Sequence, residues 1–244
     1  MSAWQHLRLI TIDLDDTLWP CAPVIQAAEA AHYAWLATQV PRLAESHTVE
    51  SLRAHRRELM RARPDLAHDV TALRDAALRG LLMEMDYSEH QASEWAQGAM
   101  AAFRQARNRV EPYADVIPVL TRLRQHCRLV AVTNGNAEVQ HTPLRGIFDR
   151  CLTAAEAGAA KPDPAIFALA MGWAEATPAQ TLHIGDDPML DVQAARAFGL
   201  ATVWINRSGR PWPSELEPPL CEVVDLHGLE AWLGLSAAKP EARP

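Results

Sequence analysis

Four short apolar runs stand out along the chain, at residues 9–13, 129–133, 182–185 and 202–205. Each run is partly β-branched, and none alternates regularly between apolar and polar positions. This pattern is typical of parallel strands that are covered on both faces. Residues 222–225 form a weaker fifth candidate.

Helical patterns separate the later runs. Apolar residues share one face of segment 115–125, a Pro-Asp-Pro sequence introduces segment 164–171, and segment 188–197 ends just before Gly199. Proline near a helix start and glycine just beyond a helix end are common boundaries. Strands that alternate with helices predict an α/β fold, here a Rossmann-like, three-layer core around a parallel sheet.

Segment 20–112 contains no strand-like run and is rich in the helix formers Ala, Leu, Arg and Glu. Apolar residues recur at helical spacing near both of its ends, at Val24, Ala27, Ala28, Ala31 and Trp35 and again at Ala92, Trp95, Ala96, Ala99 and Phe103. We predict about four helices, forming an all-helical cap inserted over the ligand crevice of the sheet. Residues 1–19 and 113–235 would form the catalytic core, and residues 236–244 a disordered tail.

Composition narrows the classes of partner. The net charge of −7, without a block of Lys and Arg, argues against nucleic-acid binding. The arginines between residues 53 and 63 are mixed with Glu58 and apolar residues, so we expect a solvated helix face. No apolar run approaches the ~20 residues of a membrane span. The sequence shows no signal-peptide pattern at its start. The spacing of Cys21, Cys127, Cys151 and Cys221 fits neither a zinc site nor a disulfide framework. We therefore expect a cytoplasmic protein with reduced thiols.

Polar motifs follow the predicted strands. Asp13, Asp15 and Asp16 lie directly after the first strand, and such a cluster of carboxylates usually lies near a cation or in open water. Thr133 and Asn134 begin a Thr-Asn-Gly-Asn sequence whose hydroxyl, amide and backbone N–H groups can hold phosphate oxygens. Taken singly, the two motifs could be a polar helix-capping turn and an ordinary Asn-Gly turn.

Two further motifs lie in the second half of the chain. Lys161 precedes a helix start, where it could supply a positive charge to a phosphate, although a surface lysine is the simpler interpretation. Asp186, Asp187 and Asp191 follow the strand at 182–185, and acids at a helix N-terminus would account for one or two of them. Because the carboxyl ends of parallel strands meet at one edge, the four motifs together predict a phosphate site with a carboxylate cage suited to Mg²⁺.

The sequences DLDDTLW, TNGN, KPDPAIF and IGDDPMLD resemble, in this order, the four motifs of the haloacid dehalogenase-like superfamily. The resemblance spans nearly the whole chain, and the helical insert is similar to the cap that follows the first motif in that superfamily. HDVT at residues 68–71 and VWIN at residues 203–206 are similar to bacterial flavin-pathway phosphatases. That branch acts on flavin mononucleotide and on 5-amino-6-(5-phospho-D-ribitylamino)uracil, so a small phosphorylated metabolite is the expected partner.

The resemblance implies hydrolysis of a phosphate monoester through an aspartyl-phosphate. Asp13 would be the nucleophile, and Asp15 would protonate the leaving oxygen and then activate water. Mg²⁺ would be held by the Asp13 carboxylate, the backbone carbonyl of Asp15 and Asp186.

The resemblance also implies roles for the residues around these acids. Thr133, Asn134 and Lys161 would bind phosphoryl oxygens. Asp191 would steady the lysine, and Asp187 would either contact a metal-bound water or cap a helix.

Substrate specificity would come from the cap and from Trp19. His68, Asp69, Thr71 and Arg74 could contact the leaving group, although Asp69 or Thr71 could instead cap a helix. The indole of Trp19 could stack on a flat ring or pack between cap and core.

Other activities remain open on the same core. A broad-specificity sugar or nucleotide phosphatase fits the motifs equally well, and a phosphomutase differs only in the acceptor of the phosphoryl group. Asp15 argues against a dehalogenase, the absence of lysine from residues 20–112 argues against a phosphonatase, and the complete motif set argues against a non-catalytic scaffold. A monomer or a homodimer is expected.

Overall fold

The computed structural model describes residues 6–235 and contains one six-stranded sheet. Its strands are β1 Leu9–Ile12, β2 Arg128–Thr133, β3 Arg150–Thr153, β4 Thr181–Gly185, β5 Ala201–Ile205 and β6 Cys221–Val223. All neighbouring strands are parallel, in the order β3-β2-β1-β4-β5-β6. This confirms the predicted α/β class with a Rossmann-like parallel sheet.

Strand β3 was not predicted from the sequence. It lies at one edge of the sheet, and only Leu152 among its four residues is fully buried. A short edge strand needs no continuous apolar run, because one of its sides has no neighbour to cover it. The other edge strand, β6, is similarly short, which explains its weak signal.

Five α-helices lie within the insert, residues 20–112: α1 Cys21–Gln39, α2 Pro41–Ser46, α3 Val49–Ala62, α4 Val70–Glu84 and α5 Glu89–Arg107. The sequence indicated about four, and one of the five, α2, is only six residues long. Side-chain caps define the starts of the later helices, with Thr48 before α3, Asp69 before α4 and Ser88 before α5. The apolar faces meet in a cluster of their own, which includes Leu36, Leu43, Leu78, Leu82 and Ala96.

The remaining helices are α6 Val116–Leu123, α7 Ala154–Ala157, α8 Ala165–Ala174, α9 Ala194–Ala197 and α10 Leu226–Trp232. Helices α6 and α10 pack on one face of the sheet, while α8 and α9 pack on the other. The predicted helix at residues 188–197 begins instead as a wider π-helical segment, Pro188–Gln193, which runs into α9. Two layers of helices therefore enclose the sheet and leave its carboxyl edge to the insert.

The insert joins the core through two neighbouring chain connections. The backbone N–H of Tyr113 donates to the carbonyl of Leu18 over 3.0 Å, which holds the outgoing and incoming chains together. We propose that the boundaries lie, as the sequence indicated, at residues 19/20 and 112/113. The separate apolar cluster of the insert supports this division. The predicted disordered tail, residues 236–244, lies outside the described residues.

Candidate active site

The site lies where the carboxyl ends of β1, β2 and β4 meet. Because these three strands are adjacent in the sheet, Asp13, Thr133 and Asp186 emerge at the same edge. The loop that precedes α8 adds Lys161, and the π-helical segment after β4 adds Asp191. Residues from all four polar motifs are therefore brought together.

Lys161 is the buried centre of this arrangement. Its Nζ lies 2.6 Å from Oδ1 of Asp13, 2.6 Å from Oδ1 of Asp191 and 3.3 Å from the carbonyl oxygen of Val132. Burial alone would lower the pKa of Lys161, but the two carboxylates outweigh burial and hold the pKa above its usual value. The lysine is therefore a fixed positive charge beside Asp13.

Asp191 is completely engaged by protein groups. One oxygen receives Lys161 and lies 3.3 Å from Nε2 of His183, and the other accepts from the backbone N–H of Asp187 at 2.9 Å. Burial raises the pKa of Asp191, but Lys161 and His183 outweigh burial and hold it well below its usual range. Asp191 therefore belongs to the support of the lysine, although its oxygens lie within 4.8 Å of those of Asp13 and Asp186.

Asp13 and Asp186 face each other across the hydroxyl of Thr17. The Oγ1 of Thr17 lies 3.3 Å from Oδ2 of Asp13 and 3.3 Å from Oδ1 of Asp186. Burial raises the pKa of Asp13, and it raises that of Asp186 to about 7, with nearby Asp191 adding to both effects. Two crowded carboxylates that resist ionisation form a set of hard oxygen donors. Such a set fits Mg²⁺, whose charge would favour ionisation of both.

Asp15 is held by two donors. Nε1 of Trp19 lies 2.9 Å from Oδ1 of Asp15, and Nη2 of Arg107, the last residue of α5, lies 2.5 Å from Oδ2. Both donors are fully buried. The structure thus gives Trp19 the packing position and not an exposed face on which a ligand ring could stack.

The third acid of the first motif, Asp16, has a structural task. Its backbone is left-handed, with φ of 61°, and its Oδ1 accepts from the backbone N–H of Cys21 at 2.8 Å. Asp16 therefore turns the chain into α1, and its side chain is exposed.

The Thr-Asn-Gly-Asn loop is also tightly held. The amide of Asn134 forms a reciprocal pair with the backbone of Lys161, at 2.9 and 2.7 Å, so its side chain positions the lysine loop. The backbone N–H of Gly135 donates to the Thr133 hydroxyl at 2.9 Å. A Cβ on Gly135 would lie only 2.8 Å from Oδ2 of Asp15, so glycine permits this approach.

The other predicted residues fall into three places. Asp187 caps the π-helical segment, since its Oδ1 accepts from the backbone N–H groups of Met189 and Leu190. His68, Asp69 and Thr71 line a cleft of roughly 250 Å³ between the insert and the Thr-Asn-Gly-Asn loop. Asp69 caps α4 there, and the Thr71 hydroxyl accepts from Nδ2 of Asn136 at 3.0 Å. Arg74 lies outside this cleft, within the insert.

Sequence reasoning missed Thr17 and Arg107. Thr17 could have been found, because it lies in the first motif four residues after Asp13. Arg107 is 92 residues from Asp15 in sequence and ends an ordinary amphipathic helix, so no local signal identifies it.

Comparison with known proteins decides the family. The model of the haloacid dehalogenase-like hydrolases matches residues 7–199. The chain belongs to this family. The resemblance seen in the four motifs is therefore confirmed, and the protein is a hydrolase of a family that includes phosphatases.

Individual relatives of this haloacid dehalogenase-like hydrolase carry different activities. The 5-amino-6-(5-phospho-D-ribitylamino)uracil phosphatase YigB of Escherichia coli is 32% identical, over 88% of this chain and 92% of its own length. The phosphoserine phosphatase of Thermus thermophilus is 32% identical over 63% of this chain and 62% of its own length. A solved structure described as a 2-haloacid dehalogenase from Pseudomonas syringae is 35% identical, with a TM-score of 0.88, over 95% of this chain and 100% of its own.

No helix within residues 6–235 is long and apolar enough to cross a membrane. The four cysteines are all free and partly buried.

Proposed function

We propose that the protein is a Mg²⁺-dependent phosphatase that hydrolyses small phosphate monoesters through an aspartyl-phosphate on Asp13. The observation that carries this proposal is the position of the Asp13 carboxylate, 2.6 Å from the buried ammonium of Lys161 and close to Asp186. A nucleophile beside fixed positive charge suits attack on an anionic phosphoryl group, where catalysis is mainly positioning and electrostatics.

In the first step, Asp13 attacks phosphorus and the bond to the leaving oxygen breaks. Asp15 donates a proton to that oxygen, and Trp19 and Arg107 keep its carboxyl group in the required orientation. In the second step, Asp15 accepts a proton from a water molecule as the water oxygen attacks phosphorus, and the bond from phosphorus to Asp13 breaks and releases phosphate.

Lys161 and the Thr133 hydroxyl would bind the phosphoryl oxygens. Asn134 would act by fixing the Lys161 loop, and Asp191 by holding the lysine side chain. Mg²⁺ would be held by Asp13, Asp186 and the backbone carbonyl of Asp15, and when bound it would neutralise charge on the transferring group. Asp187 would act as a helix cap.

For the leaving group, we infer a small phosphorylated metabolite, with flavin mononucleotide and the ribityl phosphate of the riboflavin pathway as first candidates. The relative from Escherichia coli and the HDVT sequence support this choice. His68, Asp69 and Thr71 border the cleft beside the catalytic edge, where they would meet the leaving group. The free cysteines support a reducing compartment such as the cytoplasm.

Dehalogenation is the second candidate, favoured by the close structural likeness to a protein described as a 2-haloacid dehalogenase. A halide leaves without a proton, so that reaction has no use for an acid at Asp15. The two donors that hold Asp15 in place therefore favour the phosphatase.

The test is product release by the purified protein. Inorganic phosphate should be released from flavin mononucleotide and other phosphorylated metabolites in the presence of Mg²⁺, and chelation by EDTA should stop the release. Halide should not be released from 2-chloropropionate. Halide release without phosphate release would overturn the proposal in favour of a dehalogenase.

A further inference from the structure

A second group of charged side chains lies inside the helical insert. Glu29 of α1 is buried, and the guanidinium groups of Arg53 and Arg56 from α3 and of Arg74 from α4 converge on its carboxylate. NH2 of Arg56 lies 3.0 Å, and NH1 of Arg74 lies 3.4 Å, from Oε1 of Glu29. One carboxylate therefore faces three positive charges. We call the three arginines, with Glu29 and His32, the arginine cluster.

Two buried polar atoms of the cluster have no hydrogen-bond partner within the described part of the chain. They are Nε2 of His32 and Nε of Arg74. The His32 residue is only 5% exposed, and buried polar atoms nearly always have a partner. Both residues line a small cleft, together with Arg53 and Arg56. The polar groups of the residues that line the cleft are therefore not all satisfied by described protein groups.

The charges around Glu29 also favour binding of an anion. Burial and the neighbouring charge of Arg56 lower the pKa of Arg74 to about 10, although Glu29 opposes them. Outside the cleft, the exposed Glu50 contacts Arg53 at 3.3 Å. The excess positive charge thus lies on the inner side, where an anion would relieve the repulsion between guanidinium groups.

We propose that the arginine cluster binds a small anion, a carboxylate or a phosphate group. Planar guanidinium groups with free N–H donors suit both, because each group can present two parallel donors to two oxygens. This contrasts with the solvated helix face expected from the sequence around Arg53.

The position of the cluster suggests two sources for the anion. Arg74 lies one helical turn after Thr71, which contacts Asn136 beside the catalytic edge. The Arg74 guanidinium also lies 4.0 Å above the ring of Phe103, one turn before Arg107. The anion can thus be a second acidic group of the substrate, a version that rests on the proposed function, or a free anion that binds to the insert.

The first arm of the test measures binding of inorganic sulfate to the full chain by calorimetry without Mg²⁺. Arg56→Gln should weaken binding about tenfold or more, because it removes a charged hydrogen bond. The matched control is Arg57→Gln, which removes the same charge from the next position of α3, where Arg57 contacts only the exposed Glu50 at 3.2 Å among described residues. Sulfate bound at Lys161 contributes equally to both variants.

The second arm compares kinetics on 3-phosphoglycerate and glycerol 3-phosphate, which differ in a carboxylate. If Arg56→Gln raises KM about tenfold for 3-phosphoglycerate but not for glycerol 3-phosphate, the anion is the substrate's own acidic group. Loss of sulfate binding with unchanged KM on both esters identifies a free anion. Sulfate affinity that is equal in wild type and both variants overturns the proposal.

Two safeguards keep these outcomes separate. If Arg56→Gln fails to fold by circular dichroism, Arg53→Gln at a more exposed position gives the same comparison. If the sulfate arm succeeds while neither ester, nor flavin mononucleotide, is hydrolysed by any form, the proposed phosphatase fails and the anion site stands.

Discussion

The carboxyl edge of the sheet and the arginine cluster are both buried groups of charges, but they are balanced differently. At the sheet edge, Lys161 is shared by Asp13 and Asp191, and Asp191 has further partners for both of its oxygens. In the insert, three guanidinium groups share the carboxylate of Glu29. Nε2 of His32 and Nε of Arg74 have no hydrogen-bond partner among residues 6–235. At the sheet edge the lysine is matched by carboxylates on both sides, whereas in the insert positive charge exceeds negative charge around Glu29.

This difference matches a division of tasks. The sheet edge would handle the phosphoryl group, which every phosphate monoester shares, so its geometry can be fixed in advance. The insert would meet the part that differs between substrates, and an anion would complete its charge balance. The following substitutions separate the two regions.

The largest effect is expected at the sheet edge, from Asp13→Asn. Loss of the nucleophile should lower kcat at least about 10³-fold, while the fold remains, because the amide keeps the shape of the carboxylate. The matched control is Asp16→Asn, in the same loop, where an amide can still accept from Cys21 and tolerate the left-handed backbone. Phosphate release that survives in Asp13→Asn would remove the sheet edge from the mechanism.

The next effect concerns Arg107, the link between the regions. Arg107→Met should lower kcat about 10²-fold, because Asp15 loses the donor that orients its carboxyl group. Arg107→Lys should recover part of the loss, while Arg104→Met, at an exposed position of the same helix, should have no effect. A KM change with unchanged kcat would assign Arg107 to substrate binding instead.

A smaller effect is expected for the pH dependence of stability through His32. Burial, together with Arg74 and Arg56 and against Glu29, lowers the pKa of His32 from 6.5 to about 4. His32 is therefore protonated below about pH 6.5 in the unfolded chain but only below about pH 4 in the folded chain. Acidification from pH 7 to pH 5 should cost up to about 2 kcal/mol at this site.

Denaturant titrations in buffers without polyvalent anions measure this cost. His32→Leu should flatten the dependence of unfolding free energy on pH between 7 and 5. An unchanged slope would mean that burial and the neighbouring arginines do not lower the pKa of His32.

The smallest effect concerns packing in the insert alone. An ideal Cβ on Gly98 of α5 would lie 2.1 Å from Cζ2 of Trp35, so Gly98→Ala should destabilise the protein by about 1 to 2 kcal/mol even after its gain in helix propensity. Gly80→Ala in α4, where nothing lies within 4 Å, should stabilise it by about 0.5 to 1 kcal/mol. Equal shifts in Tm for the two variants would contradict the close contact between α1 and α5.

The same contrast explains what the sequence could predict. Asp13, Thr133 and Asp186 each follow an apolar strand, and parallel topology brings strand ends together, so the main site could be assembled from local patterns. Strand β3 was not predicted because an edge strand with one buried residue has no apolar run.

The arginine cluster could not be found in this way. Glu29 lies more than twenty residues from Arg53 and more than forty from Arg74, and each of them fits an ordinary amphipathic helix. Their meeting depends on how α1, α3 and α4 pack, which is a tertiary property. The same holds for Arg107 and Asp15.

The hydrogen bond between Tyr113 and Leu18 has a consequence for protein engineering. Because the two connections of the insert lie side by side at this bond, we expect that residues 20–112 can be exchanged as a cassette without cutting the sheet or its two helical layers. A cap grafted from another chain need only match the short gap between these ends. It must also bring a guanidinium to Asp15 from the last turn of its final helix, because the recipient core has no described replacement for Arg107. We therefore expect substrate range to be transferred with the cap, provided that the graft carries an arginine equivalent to Arg107.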